Sequence, residues 1–437
     1  MEIQPQQGIY DARTLGPVKF TVLGIQHLFA MFGATILVPA ITGLSVSATL
    51  LFAGIGTLIF HFIAQWKVPA FLGSSFAFIG GYLSIKGLGV ERGMSETLAL
   101  DYACIGVACA GLCYFVMAAL IKWFGSEKVL KYFPPVVTGP MVIAIGLCLS
   151  GSAVSSASTD WLVALVAILV VIVSNMWGKG IVRIVPILLG VASSFGVAAC
   201  MGKIDFTALH DAAWIGLPVA RENTIIAVFD NPDYTLIMSS IIAIMPIAFA
   251  TIMEHIGDMC AISGTVGKMY LADPGLHRTL SGDGIATVLA SLFGAPANTT
   301  YGENTGVLNI TKVFDPRVIR LAAIFAILLS FCPKFAVLIG LMPAATIGGV
   351  SLILYGMISA VGVRNIVDAC IDFTSTRNII IAALILVIAI GVKYGANDSV
   401  AIGDIHFSGL ALSAIVGILL NIVLPHRLDI DIEQYTN

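Results

Sequence analysis

The few carboxylate side chains in the middle of the chain stand within long apolar runs. Glu254 and Asp258 lie four residues apart in TIMEHIGDM, a spacing that places both on one face of a helix, with His255 pointing elsewhere. Glu303 lies among neutral polar side chains in NTTYGENTG. An ionisable group near the centre of a bilayer costs on the order of 3 kcal/mol, so each is a candidate for function. Carboxylates only accept hydrogen bonds, and we expect Glu254 and Glu303 to bind N–H groups of a ligand.

Three other polar residues accompany these carboxylates. Gln26 and His27 lie in the middle of the first apolar run, and Asp283 opens a later one in SGDGIAT. For His27 and Asp283 we favour a buried structural hydrogen bond over direct binding.

Two alternative chemistries fit the pattern poorly. A metal site at Glu254, His255, Asp258 and Glu303 would leave His255 off the shared face, and no spacing matches a familiar site. An intramembrane hydrolase would need a nucleophile with a base, and the sequence has neither G-x-S-x-G nor H-E-x-x-H. We therefore expect no metal, no cofactor and no enzymatic activity.

The composition predicts the environment of these residues. Of the 437 residues, 58% are hydrophobic and 11% charged, with a mean hydropathy of +0.99, whereas a soluble protein carries about 25% charged residues. Apolar runs of about 20 residues, enough to cross a bilayer, recur between residues 18 and 424. The polar start of the chain lacks the apolar core of a cleaved signal, and the eight cysteines without a C-x-x-C pair are expected to be free, buried thiols. The chain reads as an all-α polytopic membrane protein.

Twelve spans and two odd apolar segments can be drawn along the chain, which gives about 14 transmembrane segments. The spans are 18–38, 48–66, 97–123, 134–149, 162–176, 185–201, 236–260, 283–293, 318–341, 346–361, 379–392 and 401–424, and the odd segments are 70–83 and 297–313. With this layout, 16 of the 22 Lys and Arg residues fall on the side of the N-terminus. The positive-inside rule then predicts an even number of spans with both termini in the cytoplasm. We expect the protein in the inner (plasma) membrane.

The two odd segments resemble each other. VPAFLGSSFAF and APANTTYGEN each place the residue at which a half-helix is expected to begin (Phe76, Glu303) seven positions after a proline (Pro69, Pro296). The two prolines are 227 residues apart, and the dipeptides QH and EH further upstream are 228 apart. The pattern predicts two inverted repeats, each with a short strand followed by a half-helix, and a substrate site at mid-membrane.

Half-helices at this depth would point unpaired N–H groups at a common cavity beside Glu303, because non-helical backbone survives there only inside protein or against a wet cavity. Helix N-termini donate to carbonyl oxygens, whereas carboxylates accept from N–H groups. A flat ligand that alternates N–H and C=O along its edge fits both, and uracil and xanthine both have this pattern.

The stretch ENTGVLNITK resembles the signature of the nucleobase/ascorbate transporter family, and Asn304, Gly306, Thr311 and Lys312 all match it. QHLFAMFGATILVP, PAFLGSSFAF, DPGLHR and GGVSLILYG resemble the bacterial uracil permease branch, so that the resemblance covers nearly the whole chain. It implies a fold of two inverted 7-segment repeats, with a core domain that binds substrate and a gate domain that forms a homodimer. The implied core ranges are 18–130 and 235–341, and the implied gate ranges are 131–201 and 342–424.

The resemblance also implies roles for individual residues. Glu254 and Glu303 would hold the base, and the main chain at Phe76 and Gly302 would complete its hydrogen bonds. Side chains expected to pack on the ring are those of Ala34, Tyr301 and Tyr355. Supporting residues are Gln26, His27, Asp283, Asn304 and Thr311.

Two departures from the family pattern bear on the substrate. Uracil carriers often have His where this chain has Asp258, and Asp283 also resembles the purine branch, yet that branch usually has Gln in place of Glu303. We therefore expect a proton-coupled symporter in a lipid bilayer, with uracil favoured over xanthine as its substrate. We expect no nucleic-acid partner. The symporter's proton-coupling residues would be Asp258, Glu254 and His255. An anion transporter or channel of the same architecture is the rival of another class, and it would be expected to have a positive site.

Overall fold

Helices make up most of the chain, as its apolar composition predicts. The computed structural model describes residues 8–130, 134–396, 399–402 and 405–425. The α-helices in these ranges are α1 Pro17–Thr42, α2 Val46–Ile63, α3 Ile79–Glu91, α4 Glu96–Phe124, α5 Ser126–Leu130, α6 Pro135–Ala157, α7 Trp161–Trp177, α8 Ile181–Ile184, α9 Pro186–Cys200, α10 Thr207–Asp211, α11 Tyr234–Ile244, α12 Ile247–Val266, α13 Leu276–Leu292, α14 Gly302–Thr311, α15 Pro316–Ser330, α16 Pro333–Gly340, α17 Ala344–Asp368, α18 Thr376–Gly395 and α19 Gly409–Val423. The strands there are β1 Leu72–Ser74, β2 Asn298–Thr300, β3 Ser399–Ile402 and β4 Ile405–Ser408.

Several of these helices are long and apolar enough to cross a membrane. Within the described residues there are seven, with α11 and α12 taken together, or eight if α15 and α16 are one span bent by 85°. The apolar helices α7, α9 and α19 are shorter. The protein is thus a multi-pass membrane protein, whereas the count of 14 segments stays a prediction, as does the orientation. Lys131 and Arg427, which contribute to the charge count, lie outside the described residues.

Four predicted spans differ in detail from the structure. The span 236–260 is broken at Pro246 between α11 and α12, which together still form one candidate span, and the span 318–341 is broken just before Pro333, the first residue of α16, because a proline ring removes a helical hydrogen bond. The last helix begins at Gly409 and not at Ala401, since the preceding apolar residues pair as strands β3 and β4. Asp283 lies inside α13 and does not open it, because the polar first half of α13 is buried within the protein.

The two odd segments meet in a buried antiparallel strand pair. β1 pairs with β2 in the register Leu72 to Thr300 and Ser74 to Asn298, which confirms the predicted extended pieces. The half-helix α14 begins at Gly302, next to the predicted Glu303, whereas α3 begins at Ile79, three residues after the predicted Phe76. The difference arises because a turn at residues 76–78 precedes α3, with the Ile79 N–H donating to the Phe76 carbonyl at 3.1 Å.

Side chains of α2 and α13 hold the outer edges of this strand pair. The hydroxyl of Thr57 accepts from the N–H of Leu72 at 2.9 Å and lies 3.2 Å from its carbonyl oxygen. One turn further along α2, His61 Nε2 donates to the Ala70 carbonyl at 2.8 Å, and on α13 Thr287 donates to the Asn298 carbonyl at 2.9 Å. These hydrogen bonds pair backbone N–H and carbonyl groups with which lipid cannot form hydrogen bonds.

The helices pack in two groups. In one group α13 packs on α2 and α4, α15 packs on α1 and α2, and α11 packs on α4. In the other group α17 packs on α6 and α7, α7 on α9, and α18 on α6 and α19. The α6–α17 contact is backbone to backbone at Gly146, where a Cβ would collide with the carbonyl oxygen of Tyr355. The groups fall within the ranges expected for core and gate, and that assignment stays a prediction.

Thr57→Val tests how strongly α2 holds the strand pair. The substitution keeps the shape of the side chain but leaves the Leu72 N–H buried without its acceptor, which costs about 1–3 kcal/mol. We expect a lower Tm of the purified protein in detergent, whereas Thr21→Val, at an exposed hydroxyl on α1, should leave it nearly unchanged. Equal Tm values for the two variants would show that the bond is not needed.

Candidate substrate-binding site

Three carboxylates are brought together by α12 and α14. Glu254 and Asp258 lie on α12, Glu303 lies in the first turn of α14, and the two helices pack against each other. All three side chains are close enough for their charges to interact. The sequence-predicted cluster is therefore formed by residues about 50 positions apart in the chain.

Asp258 is anchored to the strand pair. The hydroxyl of Thr300, the last residue of β2, donates to Asp258 Oδ2 at 2.6 Å. A Cβ added to Gly302 would lie 4.0 Å from the other carboxylate oxygen. Asp258 thus faces the place where β2 ends and α14 begins, and a small residue at 302 leaves that space open. The sequence alone did not single out Thr300 as its partner.

His255 points away from Asp258 toward α13. Its Nδ1 lies 2.8 Å from Asp283 Oδ2, and both side chains are fully buried. The edge of the Phe60 ring packs beside the imidazole, with centroids 6.2 Å apart. Asp283 therefore has a buried partner, as its structural interpretation requires, and this polar pair lies behind the face of α12 that carries Glu254 and Asp258.

Asn304 ties α14 to α1. Its side-chain N–H group donates to the main-chain carbonyl of His27 at 3.0 Å and lies 3.1 Å from the His27 ring nitrogen Nδ1. His27 is fully buried and Gln26 beside it is half-buried. At the other end of α14, Thr311 donates to the carbonyl of Val307 at 2.8 Å, within its own helix.

The aromatic residue before α14 is bound to β1. The Tyr301 hydroxyl donates to the Ser74 carbonyl at 2.8 Å, and its ring covers Gly73, where a Cβ would collide with it. Ser74 in turn donates to the Thr35 carbonyl on α1 at 3.0 Å, beside the fully buried Ala34. Tyr301 thus holds the strand pair in place.

The remaining predicted ring contacts come from two other elements. Tyr355 lies on α17, in the second helix group, and is 2% exposed. Phe76 is half-buried in the turn that precedes α3. The residues predicted to form the site therefore lie in both helix groups and in both odd segments.

A cleft of about 400 Å³ lies between the two helix groups. The residues that line it are Phe29, Ala30, Asn175, Arg183, Val185, Pro186, Ile187, Leu188, Glu303, Gly306, Val307, Asn309, Ile310 and Met357. It runs along α14 from Glu303 toward the end of that helix, with Arg183 and Asn175 opposite. Neither of these two residues was predicted to line a site, because a polar group next to a span reads equally well as a loop residue.

The arrangement suits a small polar ligand with N–H donors. Glu254 and Glu303 offer acceptors only, while the first turn of α14 offers main-chain donors beside Gly302. Within the ranges that the structure describes, no three His, Cys, Asp or Glu side chains are grouped to hold a metal ion.

Solved membrane transporters share this fold. The chain matches the transmembrane domain of a cyanobacterial bicarbonate transporter, BicA, with a TM-score of 0.57 at 13% identity, over 95% of this chain and 99% of that one. It also matches the murine solute carrier 26 family member A9 anion transporter in an inward-facing state, with a TM-score of 0.66 at 11% identity, over 93% of this chain and 68% of that one. The fold is therefore that of these transporters' membrane domains.

The sequence gives the family. Residues 18–397 match the model of the xanthine/uracil "Permease family", and the chain belongs to this family of nucleobase/ascorbate permeases. It is 41% identical over 433 residues to the uracil permease of Bacillus caldolyticus, covering 97% of this chain and 96% of that protein. It is 40% identical over 432 residues to the uracil permease of Bacillus subtilis, covering 96% and 95%. The relatives are transporters and not enzymes, as the sequence predicted.

Asn304→Leu tests the link between α14 and α1. The leucine has a similar size but cannot donate to the His27 carbonyl, and an unpaired buried polar group costs about 1–3 kcal/mol. We expect a lower Tm and faster proteolysis near α14. Asn309→Leu, on an exposed position of the same helix, is the matched control. If both variants have the same Tm as the wild type, Asn304 does not hold α14 in place.

Proposed function

We propose that the protein is a proton-coupled symporter that imports uracil across the bacterial inner membrane. The observation that carries this proposal is that Glu254 and Glu303 lie on two packed helices, close enough for their charges to interact, and that Glu303 lines the cleft. The family membership and the two uracil permeases at 40–41% identity support the substrate.

In this proposal each carboxylate of Glu254 and Glu303 accepts from a ring N–H of uracil. The main-chain N–H groups at Phe76 and Gly302 donate to its carbonyl oxygens. Ala34 and Tyr355 bound the ring from the two helix groups, while Tyr301 acts by fixing the strands. The strand pair joins the two donor segments, so their separation is set by its register.

Transport would occur by alternating access between a core (18–130 and 235–341) and a gate (131–201 and 342–424) that forms a homodimer. The two helix groups and the cleft between them support this division. The cleft extends toward Arg183 and the end of α14, the side that the charge distribution assigns to the cytoplasm together with both termini. In that orientation the structure is open to the inside.

The proton would be carried by Asp258 together with Glu254. Both are surrounded by other carboxylates, and three close negative charges in a membrane repel one another, so protonation of one relieves the repulsion. Protonation from outside would let the core move with bound uracil, and loss of the proton inside would release it. His255 would act indirectly, through its bond to Asp283 behind the same helix.

Two other substrates need consideration. Xanthine has the same donor and acceptor edge, and Asp258 and Asp283 resemble the purine branch of the family. An anion transporter has support from the fold, but that likeness is at 11–13% identity, and a cluster of three carboxylates would repel an anion.

Uptake of radiolabelled uracil and xanthine by cells that express the protein tests the proposal. We expect uracil accumulation that a protonophore abolishes, and little xanthine uptake. Greater uptake of xanthine than of uracil would show that the substrate is a purine. Uracil accumulation that resists the protonophore would show that transport is not coupled to protons.

Glu303→Gln should lower uracil affinity roughly tenfold to a hundredfold. An amide turns one acceptor into a donor that would face a uracil N–H, and a mismatched buried hydrogen bond costs about 1–3 kcal/mol. Isothermal titration with the purified protein measures the change, with Glu222→Gln in a short exposed 3-10 helix as the matched control. Wild-type affinity in the Glu303 variant would exclude this residue from the site.

Asp258→Asn should separate binding from proton coupling. The amide oxygen can still accept from the Thr300 hydroxyl, so the local structure is kept, but the group can no longer gain or lose a proton. In proteoliposomes with an inward proton gradient we expect exchange of internal for external uracil to persist and accumulation to be lost. Asp205→Asn, on an exposed loop, is the control. Gradient-driven accumulation at the wild-type level would assign the proton to Glu254 or Glu303.

A further inference from the structure

The first described residues of the chain lie across the end of α14. The N–H of Ile9 donates to the carbonyl of Lys312 at 2.8 Å, and the N–H of Phe314 donates to the carbonyl of Ile9 at 2.8 Å. Ile9 and Val313 thereby form a short parallel bridge. The N-terminal segment is thus bound through its backbone to the residues that follow the helix of Glu303.

Tyr10 reaches from the same bridge to the end of α12. Its hydroxyl donates to the carbonyl of Val266, the last residue of that helix, at 2.6 Å. The ring packs on Phe314 with centroids 5.4 Å apart, and Lys268 Nζ lies 4.7 Å from the ring centroid on a cation–π contact. A single side chain therefore contacts both the end of α12 and the segment that follows α14.

Asp11 and Ala12 extend the contact to α15. The N–H of Ala12 donates to the buried carboxylate of Asp315 at 2.7 Å, and Arg317 Nη1 lies 3.0 Å from Asp11. The hydrogen bond from Arg13 lowers the pKa of Asp11 to about 2, so the carboxylate stays charged at every pH above that value. Asp11 therefore remains able to pair with Arg317 near neutral pH.

We infer that residues 9–12 are a positioning element of the substrate site, an N-terminal clasp that fixes the helix of Glu254 against the helix of Glu303. In its middle, α12 is tied by the bond between Asp258 and Thr300 to the end of β2, which precedes α14. From Asp258 to its end at Val266, α12 extends about 12 Å, and from Glu303 to its end at Thr311, α14 also extends about 12 Å, at 1.5 Å per residue. The two rigid helices are therefore held together at two points, the bond between Asp258 and Thr300 and the clasp. Two such attachments fix the separation of the helices and the angle between them.

The inference deepens the proposed function, on which it rests, because both carboxylates must face one flat ligand at once. A shift of one helix against the other moves one carboxylate out of hydrogen-bond range, and hydrogen bonds weaken steeply with distance and angle. The clasp therefore sets affinity without touching the ligand.

Substitutions at Tyr10 test the clasp. Tyr10→Phe removes the hydroxyl that donates to the Val266 carbonyl and keeps the ring, whereas Tyr10→Ala also removes the ring contacts with Phe314 and Lys268. For Tyr10→Phe we expect a roughly threefold to tenfold higher Kd for uracil, the effect of one lost hydrogen bond, and a larger rise for Tyr10→Ala. KM should rise in step with Kd, while the maximal rate per folded transporter stays near the wild-type value. Tyr234→Phe and Tyr234→Ala, at a residue 72% exposed, are the matched controls.

Amide hydrogen exchange gives a second readout that needs no ligand. In both Tyr10 variants we expect faster exchange in residues 259–268 and 303–312, with residues 344–368 unchanged. A lower Tm with unchanged Kd and unchanged exchange in these segments would overturn the inference and leave Tyr10 as a local stabilising residue. Failure of the wild-type protein to bind uracil would instead refute the proposed substrate, and the exchange result would still decide on the clasp. If Tyr10→Ala does not fold, Tyr10→Phe, which keeps the ring, decides alone.

Discussion

The structure depends on one constraint, that backbone leaving a helix inside a membrane must find its hydrogen bonds within the protein. The chain meets this constraint by pairing β1 with β2, so that each odd segment provides hydrogen-bond partners for the backbone of the other. Thr57, His61 and Thr287 satisfy the outer edges. Where β2 ends, Gly302 and Glu303 follow closely and lie near Asp258. The candidate site thus lies where the chain pairs its non-helical backbone within the protein.

Charged residues of opposite sign line the cleft, Glu303 on α14 and Arg183 on α8. Glu303 also lies close to the carboxylates of Glu254 and Asp258 on α12. A neutral ligand with N–H donors avoids the repulsion that an anion would meet there. A shared fold therefore does not by itself decide the ligand, which depends on the side chains of the site.

Much of this arrangement could be predicted from the sequence, because an apolar chain makes each polar residue conspicuous. The shared face of Glu254 and Asp258, the strand before Glu303 and the buried role of Asp283 all follow from spacing and from the cost of burying charge. The β3–β4 hairpin could not be predicted, since its apolar residues fit a span equally well. The bend at Pro333 and the partners of Asp258 and Asn304 also depend on tertiary contacts, which periodicity does not encode.

The register of the strand pair also constrains how the protein is made. Leu72 and its partner Thr300 are 228 residues apart, and a ribosome that adds about 5–20 residues per second needs roughly 10 to 45 s to span them. During this time β1 has left the ribosome without the strand that satisfies it, so the first half of the chain cannot complete its own fold in the bilayer. The nascent protein must wait, shielded from lipid by the insertion machinery or by its own earlier helices, until the second half arrives. The strand pair can therefore form only when both halves are present, either in one continuous chain or as two fragments that meet during insertion.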